Sequence, residues 1–198
     1  MLTLFWKTCW KLSGWTIVLP ASTPPKKMVL IAGPHTSWRD LFVGLAARNE
    51  MQFRHIKFLG KKELFTPSLG WIIRKLGGVP VDRQTNNGAV QEAVKQFNTN
   101  GEFCLALSPE GTRKKVKRLR TGFYFIAKNA NVPIVMVGFD FANKRVIISD
   151  PFFTSDNQEK DFSDILSFFA PIKGYHPELG LSHLKKSDAG INWRLAAG

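Results

Sequence analysis

Short apolar runs alternate in this chain with segments whose apolar residues have helical spacing. Each run has the length of a β-strand, and the runs lie at 28–32, 56–60, 79–81, 103–107, 132–137 and 145–148. The segments with helical spacing lie at 41–46, 64–76, 87–100, 123–130 and 161–169. Strands that alternate with helices favour a parallel sheet joined by right-handed crossovers. The pattern therefore predicts an α/β fold, with a mixed, largely parallel sheet flanked by helices.

The chain length of 198 residues is enough for one sizeable core, which predicts a single domain at 26–198 after an N-terminal segment at 1–25. In that segment Trp6, Trp10 and Trp15 are interleaved with Lys7 and Lys11. This mixture is typical of an amphipathic helix at a membrane interface, and packing on the protein's own core is the alternative. The segment lacks the roughly 20 apolar residues of a spanning helix. Its internal lysines argue against a signal peptide.

The formal net charge of +13 predicts an anionic partner, which could be nucleic acid, a membrane surface or a phosphorylated small molecule. The cations are densest in a basic run that consists of Arg113, Lys114, Lys115, Lys117, Arg118 and Arg120. Phosphate binding and a solvated face are the two interpretations of this run. The four histidines and two cysteines have no metal-ligand spacing, so no metal site is predicted. Widely separated cysteines favour a reducing compartment.

His35 and Asp40 follow the first strand of the predicted sheet. Histidine is the side chain best suited to accept a proton near neutral pH, and a carboxylate can fix its tautomer. On one continuous helix the two side chains would point roughly 140° apart. Gly33-Pro34 can end the strand and Ser37 can cap a helix, so a turn could bring His35 back to Asp40. The alternative is that Asp40 only caps helical N–H groups.

Two more polar stretches, 82–85 and 108–113, also follow predicted strands. Loops at the carboxyl ends of parallel strands build one common site, so all three stretches are predicted to meet. Arg83 could hold a phosphate, although a surface pair with Asp82 is the alternative. The turn from Ser108 to Arg113 could direct N–H groups and a cation to an anion, or be an ordinary turn. His55, His176 and His183 have no evident carboxylate partner and are interpreted as structural or surface residues.

Together and in order, these stretches resemble the glycerolipid acyltransferase family, which includes the 1-acyl-glycerol-3-phosphate acyltransferases. The His-x-x-x-x-Asp block is matched by His35 and Asp40, and the block ending in Asp-Arg by 78–83. Pro-Glu-Gly-Thr-Arg is matched at 109–113, and the apolar block around a proline at 132–137. The stretch at 61–64 resembles the segment before the second block. Ser108 departs from the family, where phenylalanine is more usual.

The resemblance implies an acyltransferase domain that moves a fatty acyl group from acyl-CoA or acyl carrier protein to the free hydroxyl of a lysophospholipid. His35 would be the general base, and Asp40 would orient it. The acceptor would be 1-acyl-glycerol-3-phosphate, in phospholipid biosynthesis, with no metal and no cofactor besides the acyl donor. The implied substrate-binding residues are Lys61, Arg83, Glu110, Gly111, Thr112 and Arg113.

The same resemblance implies a peripheral enzyme at the cytoplasmic face of a membrane, held there by the basic run and the N-terminal tryptophans. A different lysolipid acceptor, such as a lyso-aminolipid, is one alternative. A basic nucleic-acid-binding module is another, but its aromatic residues form no stacking motif and it leaves His35 and Asp40 unexplained, so no nucleic-acid partner is expected. A lipid-binding protein without turnover is a third.

Overall fold

The computed structural model describes residues 2–51, 56–61, 63, 65–68, 70–75, 77–81 and 86–185. Among these residues seven strands form one sheet: β1 (Thr16–Val18), β2 (Lys27–Gly33), β3 (Ile56–Lys61), β4 (Gly78–Val81), β5 (Phe103–Leu107), β6 (Ile134–Asp140) and β7 (Arg145–Ile148). Their order across the sheet is β1-β7-β6-β2-β5-β3-β4. All neighbours are parallel except β6 and β7, which are antiparallel. The predicted α/β fold with a mixed, largely parallel sheet is confirmed.

The described helices connect and cover these strands. They are α1 (Leu2–Ser13), α2 (Arg39–Glu50), α3 (Gly70–Lys75), α4 (Asn86–Thr99), α5 (Gly122–Ala130), α6 (Gln158–Phe169) and α7 (Ser182–Lys185). Helices α4 to α7 supply residues to a core cluster on one face of the sheet. Helix α2 contributes to a second cluster on the opposite face, and α1 contacts α2. The sheet therefore lies between two helical layers.

Strand β2 shows why the apolar runs are continuous rather than alternating. Val29 and Ile31 belong to one core cluster, whereas Met28 and Leu30 belong to the other. Successive side chains of a strand point to opposite faces, so a central strand with both faces covered needs apolar residues at every position. The position of β2 at the centre of the sheet follows from this pattern.

The N-terminal segment differs in part from expectation. The predicted helix is present as α1, but β1 lies within 1–25 as well and pairs in parallel with β7. Trp10 and Trp15 are partly buried against the second core cluster, and Trp15 meets Phe141 edge to face at a centroid distance of 4.9 Å. These two rings therefore pack partly on the protein's own core, which was the alternative for this segment, and its contact with a membrane interface stays a prediction. No described helix is both long enough and apolar enough to cross a membrane.

Parallel pairing brings the motif-bearing loops to one edge of the sheet. Ile31 of β2 is opposite Leu107 of β5, and Gly33 is opposite Gly138 of β6. The chain segments that leave β2 and β5 therefore begin side by side. Lys61 ends β3 opposite Val81, the last residue of β4, at the same edge. The predicted site stretches that follow β2 and β5 start from this edge, whereas 82–85 lie outside the described residues.

Candidate active site

The His35 ring and the Asp40 carboxylate are in contact. His35 Nδ1 lies 3.0 Å from Asp40 Oδ2, with the His35 side chain 31% exposed and that of Asp40 1% exposed. Helix α2 begins at Arg39 with Trp38 at the N-cap, one residue later than a Ser37 cap would place it. His35 thus precedes the helix on a turn, and Asp40 lies in the first helical turn. The turn before the helix therefore brings the two side chains together, although their five-residue separation would point them apart on a continuous helix.

Asp40 serves the backbone as well as the ring. Its Oδ2 accepts hydrogen bonds from the backbone N–H groups of Thr36 at 2.8 Å and Ser37 at 2.9 Å. The contact with the ring agrees with the orienting interpretation, whereas Asp40 caps no helical N–H group, because Thr36 and Ser37 precede the helix. A carboxylate at Nδ1 favours the tautomer protonated on that nitrogen. The Nε2 lone pair of His35 is then the basic site.

Glu110 holds the backbone of the same histidine. Its two carboxylate oxygens lie 2.9 and 2.8 Å from the donating His35 backbone nitrogen, and Ser108 Oγ donates to Oε2 at 3.0 Å. The Glu110 residue is only 3% exposed. Burial raises the pKa of its carboxyl to about 7, against the opposing effect of these hydrogen bonds. In this structure Glu110 holds the backbone of His35 in place, and its role in substrate binding stays a prediction.

The turn after Ser108 requires glycine at 111. Gly111 has a φ of +67°, and a Cβ there would lie 3.2 Å from Arg120 Cγ. The Gly111 N–H donates to Ser108 O at 3.2 Å, and the Arg120 N–H donates to Pro109 O at 2.7 Å. Thr112 Oγ1 accepts from the Lys114 backbone at 3.3 Å. Gly111 and Thr112 therefore shape the turn that presents Arg113.

A pocket with a volume of about 430 Å³ lies beside the His35 turn. Arg113 lines it, and the predicted contact of Arg113 with the acceptor stays a prediction. The other lining residues are Thr36, Ser37, Trp38, Arg39, Tyr175 and His176. None of these six was predicted as a site residue, and His176 is exposed, as its surface interpretation expected. Arg39 lay inside a recognised motif, but no local pattern distinguished Tyr175 or His176.

The structure describes only some of the remaining residues that the sequence analysis singled out. Arg83 and Asp82 lie outside the described residues, as does His55. Lys61 is described as the last residue of β3, at the edge of the sheet where the site lies. His183 is structural, since its Nδ1 lies 3.0 Å from Gly180 O and its Nε2 lies 2.8 Å from Val116 O. Within the described part of the chain, no group of three or more His, Cys, Asp or Glu side chains could hold a metal ion.

The model of the acyltransferase family matches residues 16–140. This span is more than half of the chain, and it contains His35, Asp40, Glu110 and Arg113 in the contacts described above. The chain belongs to the acyltransferase family. Membership confirms the resemblance to glycerolipid acyltransferases and supports acyl transfer in lipid metabolism as the activity.

A curated relative of this acyltransferase is the 1-acyl-sn-glycerol-3-phosphate acyltransferase of Streptococcus pneumoniae (strain ATCC BAA-255 / R6). The two are 31% identical over 111 residues, which make up 56% of this chain and 40% of the relative. The match thus spans less than half of the length of that relative. No solved structure matches this acyltransferase significantly.

The raised pKa of Glu110 predicts a pH-dependent stability. Below pH 4.5 the carboxyl is protonated in both the folded and unfolded chains. As pH rises from 4.5 to about 7, the unfolded chain loses this proton first, so the free energy of unfolding falls. A pKa change of this size corresponds to about 3 kcal/mol. Urea unfolding across this pH range measures it.

The isosteric Glu110→Gln variant should lack this fall, because glutamine does not titrate. The matched control, Glu50→Gln at an exposed glutamate of α2, should keep it. If the free energy of unfolding depends on pH identically in the wild type and Glu110→Gln, burial of Glu110 does not cause the fall.

Proposed function

We propose that this acyltransferase transfers a fatty acyl group from an acyl thioester to the free hydroxyl of a lysophospholipid, with 1-acyl-glycerol-3-phosphate as the acceptor. The observation that carries the proposal is the His35–Asp40 pair at 3.0 Å beside a pocket lined by Arg113. A base next to a fixed cation suits an acceptor whose reactive hydroxyl and phosphate are neighbours on one glycerol backbone. The proposed donors are acyl-CoA or acyl carrier protein, without metal or further cofactor.

His35 would act on the acceptor directly. Nε2 removes the hydroxyl proton while the acceptor oxygen attacks the thioester carbonyl. Asp40, through Nδ1, stabilises the imidazolium that forms. The tetrahedral intermediate then collapses, the C–S bond breaks, and the imidazolium returns the proton to the leaving sulfur. An ester and a free thiol are the products, and the enzyme returns to its starting state.

The hydrogen bonds of the turn restrict where the oxyanion could be stabilised. The backbone N–H groups of His35, Thr36 and Ser37 all donate to carboxylates. The Gly111 N–H is also occupied, by Ser108 O. These four donors are therefore not available to a developing negative charge on the thioester oxygen. Their contribution to the reaction is to hold the base, and Lys61 and Arg83 remain proposed contacts for the substrate.

The acceptor resides in a membrane, and the basic run supplies a surface that would bind one. All six cations of the run are exposed, whereas Leu119 between them is buried and Val116 is partly buried. The run is thus fixed to the core by its apolar residues while its charges face solvent. Trp38, Leu41 and Phe42, at the start of α2, are exposed as well. Arg113 of the run and Trp38 line the same pocket, and cations near an exposed aromatic ring support peripheral binding to an anionic, cytoplasmic membrane face.

Replacement of the proposed base tests the reaction. His35→Ala should lower kcat/KM for acyl transfer from acyl-CoA to 1-acyl-glycerol-3-phosphate by ~10²–10⁴, because general-base assistance is lost. Asp40→Asn keeps an acceptor oxygen for His35 but removes the charge, so it should reduce kcat with a smaller effect on KM. Activity of His35→Ala within about threefold of an active wild type would exclude His35 as the base.

Charge removal in the basic run tests membrane binding. The triple variant Lys114→Gln, Lys115→Gln, Lys117→Gln should bind anionic vesicles about 100-fold more weakly, since each cation near the surface contributes about 1 kcal/mol. Vesicle sedimentation at low and high salt measures this. The control variant, Lys57→Gln, Lys95→Gln, Lys160→Gln, removes the same charge from other exposed positions. Equal losses in both variants would mean that net charge, rather than this surface, controls binding.

A further inference from the structure

An irregular segment at residues 171–176, here named the strap, crosses the turn that carries His35. It follows helix α6 and contains no helix or strand. It lies beyond residues 16–140, the span matched by the acyltransferase family. Two of the residues that line the pocket, Tyr175 and His176, belong to it. Part of the pocket is therefore formed by residues that lie outside the span matched by the family.

The strap is fixed against the active-site turn by polar and steric contacts. The Phe141 N–H donates to Lys173 O at 2.8 Å, and the His176 N–H donates to Thr36 Oγ1 at 3.2 Å. Gly174 is buried, and a Cβ there would lie 2.7 Å from Thr36 Oγ1. Only glycine therefore allows this approach without a shift of the turn. The strap and the His35 turn have a fixed relative position.

Tyr175 of the strap holds the side chain of Arg39. The Arg39 guanidinium carbon lies 4.5 Å from the centroid of the Tyr175 ring and 5.7 Å from that of Trp38. Tyr175 is itself supported edge to face by Phe141 at 5.5 Å. A guanidinium that stacks on aromatic faces keeps its N–H donors at its edge. The two aromatic rings thus hold the faces of the Arg39 guanidinium, and its N–H donors remain available to a ligand.

Arg39 and Arg113 both line the pocket, and neither forms an ion pair with a carboxylate among the described residues. Two guanidinium groups around one cavity suit a phosphate, which can accept forked hydrogen bonds from each. Thr36, the residue after the proposed base, also lines the pocket. A phosphate bound there would lie close to a hydroxyl at His35.

We propose that Arg39, held by Tyr175 of the strap, binds the acceptor's phosphate together with Arg113. Arg39 is a specificity-determining residue, and Tyr175 is a positioning residue that acts through it. A terminal phosphomonoester is the headgroup that this site favours, because it carries more charge than a phosphodiester and leaves more oxygens free. This inference rests on the proposed function for the identity of the acceptor, but not for the binding of phosphate.

Steady-state kinetics with 1-acyl-glycerol-3-phosphate and acyl-CoA test the assignment. Arg39→Gln should raise KM for the acceptor by about 10- to 100-fold, as expected for a lost charged hydrogen bond, with kcat and KM for acyl-CoA nearly unchanged. Tyr175→Leu should raise the acceptor KM by about 3- to 10-fold, in line with a lost cation–π contact. Tyr175→Phe retains the ring face and should recover most of that loss.

The matched control is Arg74→Gln, because Arg74 stacks on Phe65 at 5.3 Å but does not line the pocket. Its acceptor KM should equal that of the wild type. The donor also carries phosphates, so a rise in KM for acyl-CoA alone in Arg39→Gln would overturn the acceptor assignment. An unchanged acceptor KM in Arg39→Gln would overturn it as well.

Direct binding separates this inference from the proposed reaction. Calorimetry with glycerol 3-phosphate should show binding to the wild type and Arg74→Gln, and binding at least about 10-fold weaker to Arg39→Gln. This result would support the phosphate site even if the wild type acylates none of the lysophospholipids. Equal affinity in the wild type and Arg39→Gln would overturn the site, whatever reaction the enzyme performs. No binding to the wild type would overturn it too.

Discussion

The geometry of the site depends on one oxygen of one buried carboxylate. Asp40 Oδ2 accepts from the Thr36 and Ser37 backbones and lies within hydrogen-bonding distance of the His35 ring. Asp40 Oδ1 is buried and has no partner among the described residues. A buried carboxylate that loses its donors is costly, so the chain gains free energy by turning three successive residues toward it. The conformation of the turn and the orientation of the base therefore have the same cause.

A second carboxylate extends this arrangement to the neighbouring strand. Glu110 comes from the turn after β5 and accepts from the His35 backbone, while Asp40 contacts the His35 ring. Because β2 and β5 are adjacent and parallel, residues far apart in the chain reach one histidine. Two sequence motifs are thus parts of one hydrogen-bonded unit. Arg113 is carried by the same turn as Glu110, which places a cation near the base.

Local patterns were sufficient to predict the central sheet and the site edge at the ends of β2 and β5. They allowed a His35–Asp40 contact but left helix capping by Asp40 as an equal alternative. They were insufficient for β1, which has only three residues and too little periodicity to detect. The inward packing of Trp10 and Trp15 depends on contacts with residues such as Phe141, which the composition of the N-terminal segment does not reveal. Glu110 was assigned to substrate binding through the family resemblance, and no local pattern indicated that its carboxylate accepts from the His35 backbone. Tyr175 and His176 reach the site through long-range contacts, which the local sequence around them does not indicate.

The protonation pattern of the His35 ring tests the central claim most directly. Nitrogen NMR of the wild type, with His35→Ala used to assign the signals, distinguishes the two neutral tautomers. Asp40 at Nδ1 predicts that the neutral form of the ring carries its proton on Nδ1, with Nε2 free to accept one, and predicts that Asp40→Ala abolishes this preference. A ring protonated on Nε2, or a tautomer preference unchanged in Asp40→Ala, would contradict the account.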